Sequence, residues 1–112
     1  MVWRIVYLKE AKEDLKELDR SQQKRVLKAI EKVSKNPLPF SEGGYGKPLG
    51  NRGTSKLTGF LKIKLNKPGI WVVYGLIRDE KTMQIVVISV RDDERAYRMA
   101  QERIKKNHLD LD

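Results

Sequence analysis

Across residues 2–8 the chain concentrates β-branched and aromatic side chains, Val2, Trp3, Ile5, Val6 and Tyr7, as a strand does. The spacing then turns helical. Ala11, Leu15 and Leu18 fall four and three residues apart, with Lys, Glu and Asp filling the other faces. Asp19-Arg20-Ser21 interrupts this stripe, and Ser21 is placed to cap a second helix. That helix buries Val26, Ile30 and Val33, widened by Leu27 and Ala29, and it ends at Asn36-Pro37 because the residue before proline is pushed out of helical conformation. Two antiparallel helices joined by a short turn are predicted.

Residues 37–53 carry eight glycines and prolines among seventeen positions, which makes them a loop, and long loops in small domains are often functional. A period of two follows. Phe60, Lys62 and Lys64 fall on one face of a strand, and Leu61, Ile63 and Leu65 on the other. Lys67-Pro68-Gly69 reads as a hairpin turn, Ile70 to Ile77 as the next strand, Asp79-Glu80-Lys81 as a turn and Gln84 to Val90 as a third strand. By the same alternation Trp71 shares a face with Val73 and Gly75. A final helix, capped by Asp92 or Asp93, reaches about Lys106, with acids in its first turn and bases in its last. The order βααβββα predicts an α+β domain spanning 1–112, with an antiparallel sheet packed against the N-terminal helical hairpin and a C-terminal helix.

Composition narrows the chemistry. Among 112 residues there is no cysteine and one histidine, which removes thiol nucleophiles, zinc-thiolate sites, Ser-His-Asp catalysis and multi-His metal sites. His108 sits in a polar tail. Asp92, Asp93 and Glu94 read as a helix cap rather than a metal site, and Gly43-Gly44-Tyr45-Gly46-Lys47 lacks the spacing of a phosphate loop. Catalysis therefore falls to Lys, Arg, Tyr or carboxylates. The longest apolar stretches are far shorter than the roughly 20 residues a membrane span needs, and no targeting signal is visible, so a cytoplasmic protein is expected.

The net charge of +9 is unevenly placed. From Gly43 to Arg78, thirty-six residues contain no Asp or Glu but do contain Lys47, Arg52, Lys56, Lys62, Lys64, Lys67 and Arg78. A Gly/Pro-rich loop and the following strand can line one concave region with these cations, and phosphate oxygens would answer them. Helix one, by contrast, mixes signs (Lys9, Glu10, Lys12, Glu13, Asp14, Lys16, Glu17), as an exposed face with i,i+4 pairs does.

The ordered set of segments resembles the RelE/ParE superfamily of bacterial toxins. It runs from an N-terminal strand through Ala11-Lys12-Glu13-Asp14-Leu15-Lys16-Glu17-Leu18-Asp19, Asn36-Pro37, Gly46-Lys47-Pro48-Leu49 and Gly59-Phe60-Leu61-Lys62-Ile63-Lys64-Leu65. Val72-Val73-Tyr74, Val86-Val87-Ile88-Ser89-Val90 and Arg91 with Tyr97 six residues later complete it. The Lys-Ile-Lys strand and the Arg-to-Tyr spacing are similar to the RelE branch. This resemblance implies the toxin of a type II toxin–antitoxin system: an endoribonuclease that cuts mRNA in the ribosomal A site, needs no metal or cofactor, and is held inactive by an acidic cognate antitoxin. It also implies roles for residues. Lys62 and Lys64 match the two basic residues that contact and activate the substrate, Arg91 the phosphate-stabilising base after the last strand, and Tyr97 the tyrosine that orients or stacks on the substrate. Where the family often has a catalytic arginine on the middle strand, this chain has Trp71.

Metal-free RNA cleavage uses the ribose 2′-OH as nucleophile and needs a proton acceptor and positive charge near the phosphate. A lysine accepts that proton when neighbouring cations crowd it, which Lys62, Lys64 and Arg91 would do for one another. Lys64 or Lys62 is the candidate base, Arg91 the oxyanion stabiliser and Tyr97 the positioning or stacking group. Lys47, Arg52, Lys56, Trp71 and Arg95 are candidates for substrate binding. Bland readings stand beside these: edge-strand lysines that discourage aggregation, a Tyr97 facing the core with Ala100 and Ile104, and a Trp71 that is hydrophobic cover. Two other functions share the fold, a ParE-like inhibitor of DNA gyrase and a non-catalytic RNA-binding toxin.

Overall fold

The computed structural model describes residues 2–49, 59–65, 69–90 and 93–107. Its elements run β1 (Arg4–Tyr7), α1 (Lys9–Lys16), α2 (Arg20–Ser34), β2 (Lys47–Pro48), β3 (Phe60–Leu65), β4 (Ile70–Ile77), β5 (Thr82–Ser89) and α3 (Asp93–Lys106), with 3₁₀ turns at Phe40–Glu42 and Arg78–Glu80. The α+β class and the order of the major elements agree with the sequence pattern. Three details differ. The sheet, ordered β1-β5-β4-β3-β2, is mixed rather than antiparallel, because β1 lies parallel to β5. The second helix is capped by Asp19, not Ser21: the Asp19 carboxylate accepts from the Gln22 backbone N–H, and the Gln22 side chain accepts from the Asp19 N–H. The glycine- and proline-rich loop also contains β2, which gives the sheet a fifth strand.

Alternation along β3 sorts its residues between two cores. On one side Leu61, Ile70, Val72, Tyr74, Met83, Ile85 and Ile88 pack with Ala11, Leu18, Val26, Ile30 and Val33 of the N-terminal helical region. On the other, Phe60, Val73, Val86 and Val87 pack with Tyr97, Ala100 and Ile104 of α3. A β-bulge makes both possible. Val73 pairs with Val87 but Tyr74 pairs with Ile85, so Val86 is an extra residue, and Val86 and Val87 both face α3.

The bulge is held by a polar cluster. Arg103 donates from Nη1 to the Val86 carbonyl at 2.9 Å and to Asp14 Oδ2 at 2.6 Å, while Nη2 reaches Asp14 Oδ1 at 3.1 Å. Asp14 Oδ2 also accepts from the Ile88 N–H at 3.0 Å. The charged face expected on α1 is therefore only partly a solvated one: Asp14 reaches β5 and α3, and Glu10 accepts from Asn107 and lies 3.7 Å from Lys106. That Asn107 bond, a backbone hydrogen bond and the nearby cations hold the Glu10 carboxyl below its usual range, the backbone bond most strongly.

The segment before β2 is equally well tied. Tyr45 N–H donates to Asn36 O, Phe40 N–H to Gly46 O, and Gly46 N–H to Leu38 O. Buried Tyr74 donates its hydroxyl to Pro37 O at 2.9 Å. Gly46 lies so close to the Tyr74 hydroxyl and Leu61 that a Cβ there would collide with both. This fold delivers Lys47 to the edge of β3.

Candidate nucleic-acid interface

Lys62 and Lys64 project from the α3 side of β3, where Lys62 reaches Tyr97 of α3. Cross-strand register sets their neighbours. Lys64 lies opposite Trp71, Lys62 opposite Val73, and Lys47 opposite Lys62 on the outer side. The two lysines consequently share one indole: the Lys62 Nζ is 5.0 Å and the Lys64 Nζ 4.9 Å from the Trp71 ring centroid. Lys62 also donates to the Tyr97 hydroxyl at 2.7 Å and lies 5.4 Å from the centre of that ring. Trp71 in turn pairs with Ser89, the last residue of β5.

Burial separates the two aromatic residues in role. Tyr97 is only 5% exposed and belongs to the core under α3, so little of its ring is open to a nucleobase. Its hydroxyl orients Lys62. Trp71 is half-buried and carries two ammonium groups, so it is more than hydrophobic cover. Lys64 is exposed and Lys62 half-buried.

Other sequence candidates fall elsewhere. Arg95 is exposed on the first turns of α3, beside a depression of about 260 Å³ lined by Arg95, Arg98, Met99 and Glu102, and this lining includes none of Lys62, Trp71 and Tyr97. The two-residue step from Arg95 to Tyr97 turns about 200° around the helix, which puts them on different faces. Arg78, part of the acid-free stretch, is engaged by Glu42 just outside it in a bidentate ion pair with both distances 2.8 Å. That pairing holds the Glu42 carboxyl below its usual range and raises the Arg78 guanidinium. Arg91, Arg52 and Lys56 lie outside the described residues. No cluster of three or more potential metal ligands occurs among the described residues. No described helix is long and apolar enough to cross a membrane.

Sequence reasoning missed the Asp14–Arg103 pair that fixes α3, although a signal was present. Asp14 is three residues from Ala11 and four from Leu18, and Arg103 three from Ala100 and seven from Ala96, so each sits on its helix's apolar stripe. A charge on an apolar stripe calls for a partner on the facing element.

Comparison with known proteins bears on the fold and the family. Residues 5–97 match the sequence profile described as ParE toxin of type II toxin–antitoxin system, parDE. No curated protein sequence matches the chain significantly. Among solved structures, a double arginine-to-alanine mutant of the Escherichia coli toxin RelE in the free state is similar with a TM-score of 0.72 at 19% identity, covering 93% of this chain and 99% of that one. The toxin–antitoxin complex RelBE2 from Mycobacterium tuberculosis gives 0.66 at 21% identity, covering 83% and 95%. The intact E. coli RelBE complex gives 0.64 at 17% identity, covering 80% and 98%. At these identities the structural likeness is one of fold.

Proposed function

The chain belongs to the ParE toxins of type II toxin–antitoxin systems, within the RelE/ParE superfamily, and we propose that it is a RelE-like, ribosome-dependent endoribonuclease that cuts mRNA and so inhibits translation. The observation that supports this most is the pair of β3 lysines gathered over Trp71, one of them bonded to Tyr97 at 2.7 Å. Two cations at adjacent same-face positions, steadied by aromatic groups and flanked by Lys47, make a surface suited to the phosphate of a single strand.

In the proposed reaction Lys64, the exposed lysine, takes the proton of the ribose 2′-OH. The 2′ oxygen forms a bond to the adjacent phosphorus, the bond from phosphorus to the 5′ oxygen breaks, and the departing 5′ oxygen takes up a proton. A 2′,3′-cyclic phosphate and a 5′-hydroxyl end result. Lys62, oriented by Tyr97, binds the non-bridging oxygens as charge develops on them, with Arg91 assigned the same task from the family resemblance. Tyr97 acts as a positioning residue. Where the family often has an arginine, Trp71 offers both ammonium groups one aromatic face. The partner that silences this surface is an acidic cognate antitoxin, matched to it by charge.

Primer extension on translated mRNA, with and without ribosomes, tests the reading. Site-specific cuts are expected only with ribosomes, and Lys62→Ala/Lys64→Ala is expected to abolish them together with growth arrest. Full cleavage by that double variant would refute the assignment. The match to the ParE profile favours a second reading, inhibition of DNA gyrase. Inhibited supercoiling with intact mRNA is the result that would establish it.

A further inference from the structure

α3 delivers Tyr97 to Lys62, and its rotation about its own axis decides where the Tyr97 hydroxyl stands. Ala100 and Ile104 pack with Val73, Val86 and Val87, but apolar contact has no preferred direction and does not fix that rotation. Directional bonds come from Arg103, whose guanidinium donates to the Val86 carbonyl and to both oxygens of Asp14. Asp14 also accepts from the Ile88 N–H. These two backbone groups lie where β5 has outrun its neighbour: β1 pairs with it only as far as Tyr7 opposite Ile85, and β5 continues to Ser89. Past that point Asp14 and Arg103 supply the partners that a longer β1 would have supplied.

Helix geometry ties this clamp to the lysine surface. Six residues separate Tyr97 from Arg103, so the two project about 120° apart and about 9 Å along the axis. Buried Ala96, Ala100 and Ile104 fall between them, which places Arg103 and Tyr97 on opposite borders of the buried stripe. A roll of α3 that sinks one of them lifts the other. With a radius of about 5–6 Å including side chains, a roll of about 20° carries the helix surface by ~2 Å. Either the 2.7 Å bond from Lys62 to Tyr97 then lengthens past hydrogen-bonding range, or the Lys62 Nζ shifts from its place 5.0 Å from the Trp71 ring centroid. We infer that Asp14 and Arg103 are positioning residues for the cleavage reaction: by pinning α3 to the β5 bulge they hold the Tyr97 hydroxyl where it orients Lys62. The kinetic consequence rests on the cleavage reading above, whereas the structural one rests on the hydrogen bonds alone.

The test is a mutant cycle in single-turnover cleavage of ribosome-bound mRNA. Asp14→Leu/Arg103→Met removes the clamp without leaving a buried charge alone, and thermal unfolding sets a temperature at which every variant is folded. In the otherwise native chain it is expected to slow cleavage about 10-fold or more, toward the rate of Tyr97→Phe. In the Tyr97→Phe background the same two substitutions are expected to cost less than ~2-fold, because the hydroxyl they would displace is already gone. Arg103→Lys keeps a charge opposite Asp14 but lacks the planar fork that spans Val86 and both carboxylate oxygens, and is expected to show the same pattern with a smaller loss. A role in stability alone gives an equal fold loss with and without the Tyr97 hydroxyl, and that result would overturn the inference. So would a full cleavage rate in Asp14→Leu/Arg103→Met. The proton–nitrogen NMR signal of the Lys62 ammonium, assigned by its loss in Lys62→Ala, needs no cleavage. It is expected to shift in Tyr97→Phe and in Asp14→Leu/Arg103→Met, and an unmoved signal in the latter would equally overturn the inference. If the native chain cuts no mRNA while that signal shifts, the cleavage reading fails and the coupling of the clamp to Lys62 stands.

Discussion

Replacing Asp14 by alanine should destabilise the protein far more than a surface ion pair would. The carboxylate accepts two hydrogen bonds from Arg103 and one from the Ile88 N–H, and the Asp14 and Arg103 side chains are only 12% and 15% exposed. Its removal leaves a guanidinium without a counter-charge against β5 and a backbone donor without an acceptor. Breaking a buried pair from one side typically costs about 3–5 kcal/mol, whereas an exposed pair contributes ~0–1 kcal/mol. With a urea slope of about 2 kcal/mol/M, the midpoint should fall by roughly 1.5–2.5 M. Exchange of the Ile88 amide should accelerate more than that of Val72, which pairs with it across β4 and β5 but has no bond to Asp14. Arg103→Met should cost a similar amount by leaving the Val86 carbonyl without this donor and the Asp14 carboxylate without its counter-charge. The double variant Asp14→Leu/Arg103→Met should recover much of the loss, because no buried charge is left alone. Strictly additive single costs, or a cost below ~1 kcal/mol for Asp14→Ala, would refute this account of how α3 is fixed.

Three further outcomes follow from the geometry. Tyr97→Phe keeps the ring in the core but removes the acceptor of Lys62, and should slow mRNA cleavage by roughly 10–150-fold with little change in Tm, the range expected for a hydrogen bond to a charged group. Trp71→Ala should weaken single-stranded RNA binding by about 1–3 kcal/mol in a titration at fixed salt, and unchanged affinity would leave the indole as cover only. Tyr74→Phe orphans the Pro37 carbonyl and should cost about 1–3 kcal/mol at neutral pH. Burial holds the Tyr74 phenol above its usual value of 10.0, so the folded chain keeps a proton that the unfolded chain releases. Stability from this group is thus complete below about pH 10 and declines as the pH rises further, and the Phe variant should show a shallower alkaline decline in chemical denaturation.

Much of this arrangement was legible because β3 alternates strictly. Leu61, Ile63 and Leu65 against Lys62 and Lys64 left one assignment of faces, and Trp71 followed by the same parity. The parallel pairing of β1 was not legible, since a short strand carries no mark of its neighbour's direction and β5 is distant in sequence. Nor was the bulge. Ile85 through Ile88 are all apolar, so a period of two across them cannot reveal that Val86 and Val87 share a side. Ser21 lost the cap to Asp19 because Gln22 at the third helical position closes a reciprocal pair with Asp19. Lys47 stands out in the sequence by its charge alone, and its place beside Lys62 depends on β2, two residues too brief to give a periodic signal.

Register is what couples stability to the proposed chemistry. A one-residue slip of β3 against β4 would turn Lys62 and Lys64 into the core beneath α2 and carry Leu61 and Ile63 out to Trp71. Burying two ammonium groups without partners costs several kcal/mol apiece, together comparable with the fold's whole margin of about 5–15 kcal/mol, so the slipped form is strongly disfavoured. Phe60 against Gly75 fixes the same register from the other end, because a Cβ on Gly75 would meet the Phe60 ring. The lysines therefore stand over Trp71 as a consequence of where the leucines are buried. Substitutions that disturb Leu61 or Gly75 should damage RNA binding without touching a charged residue, whereas substitutions of the lysines themselves should leave the fold standing.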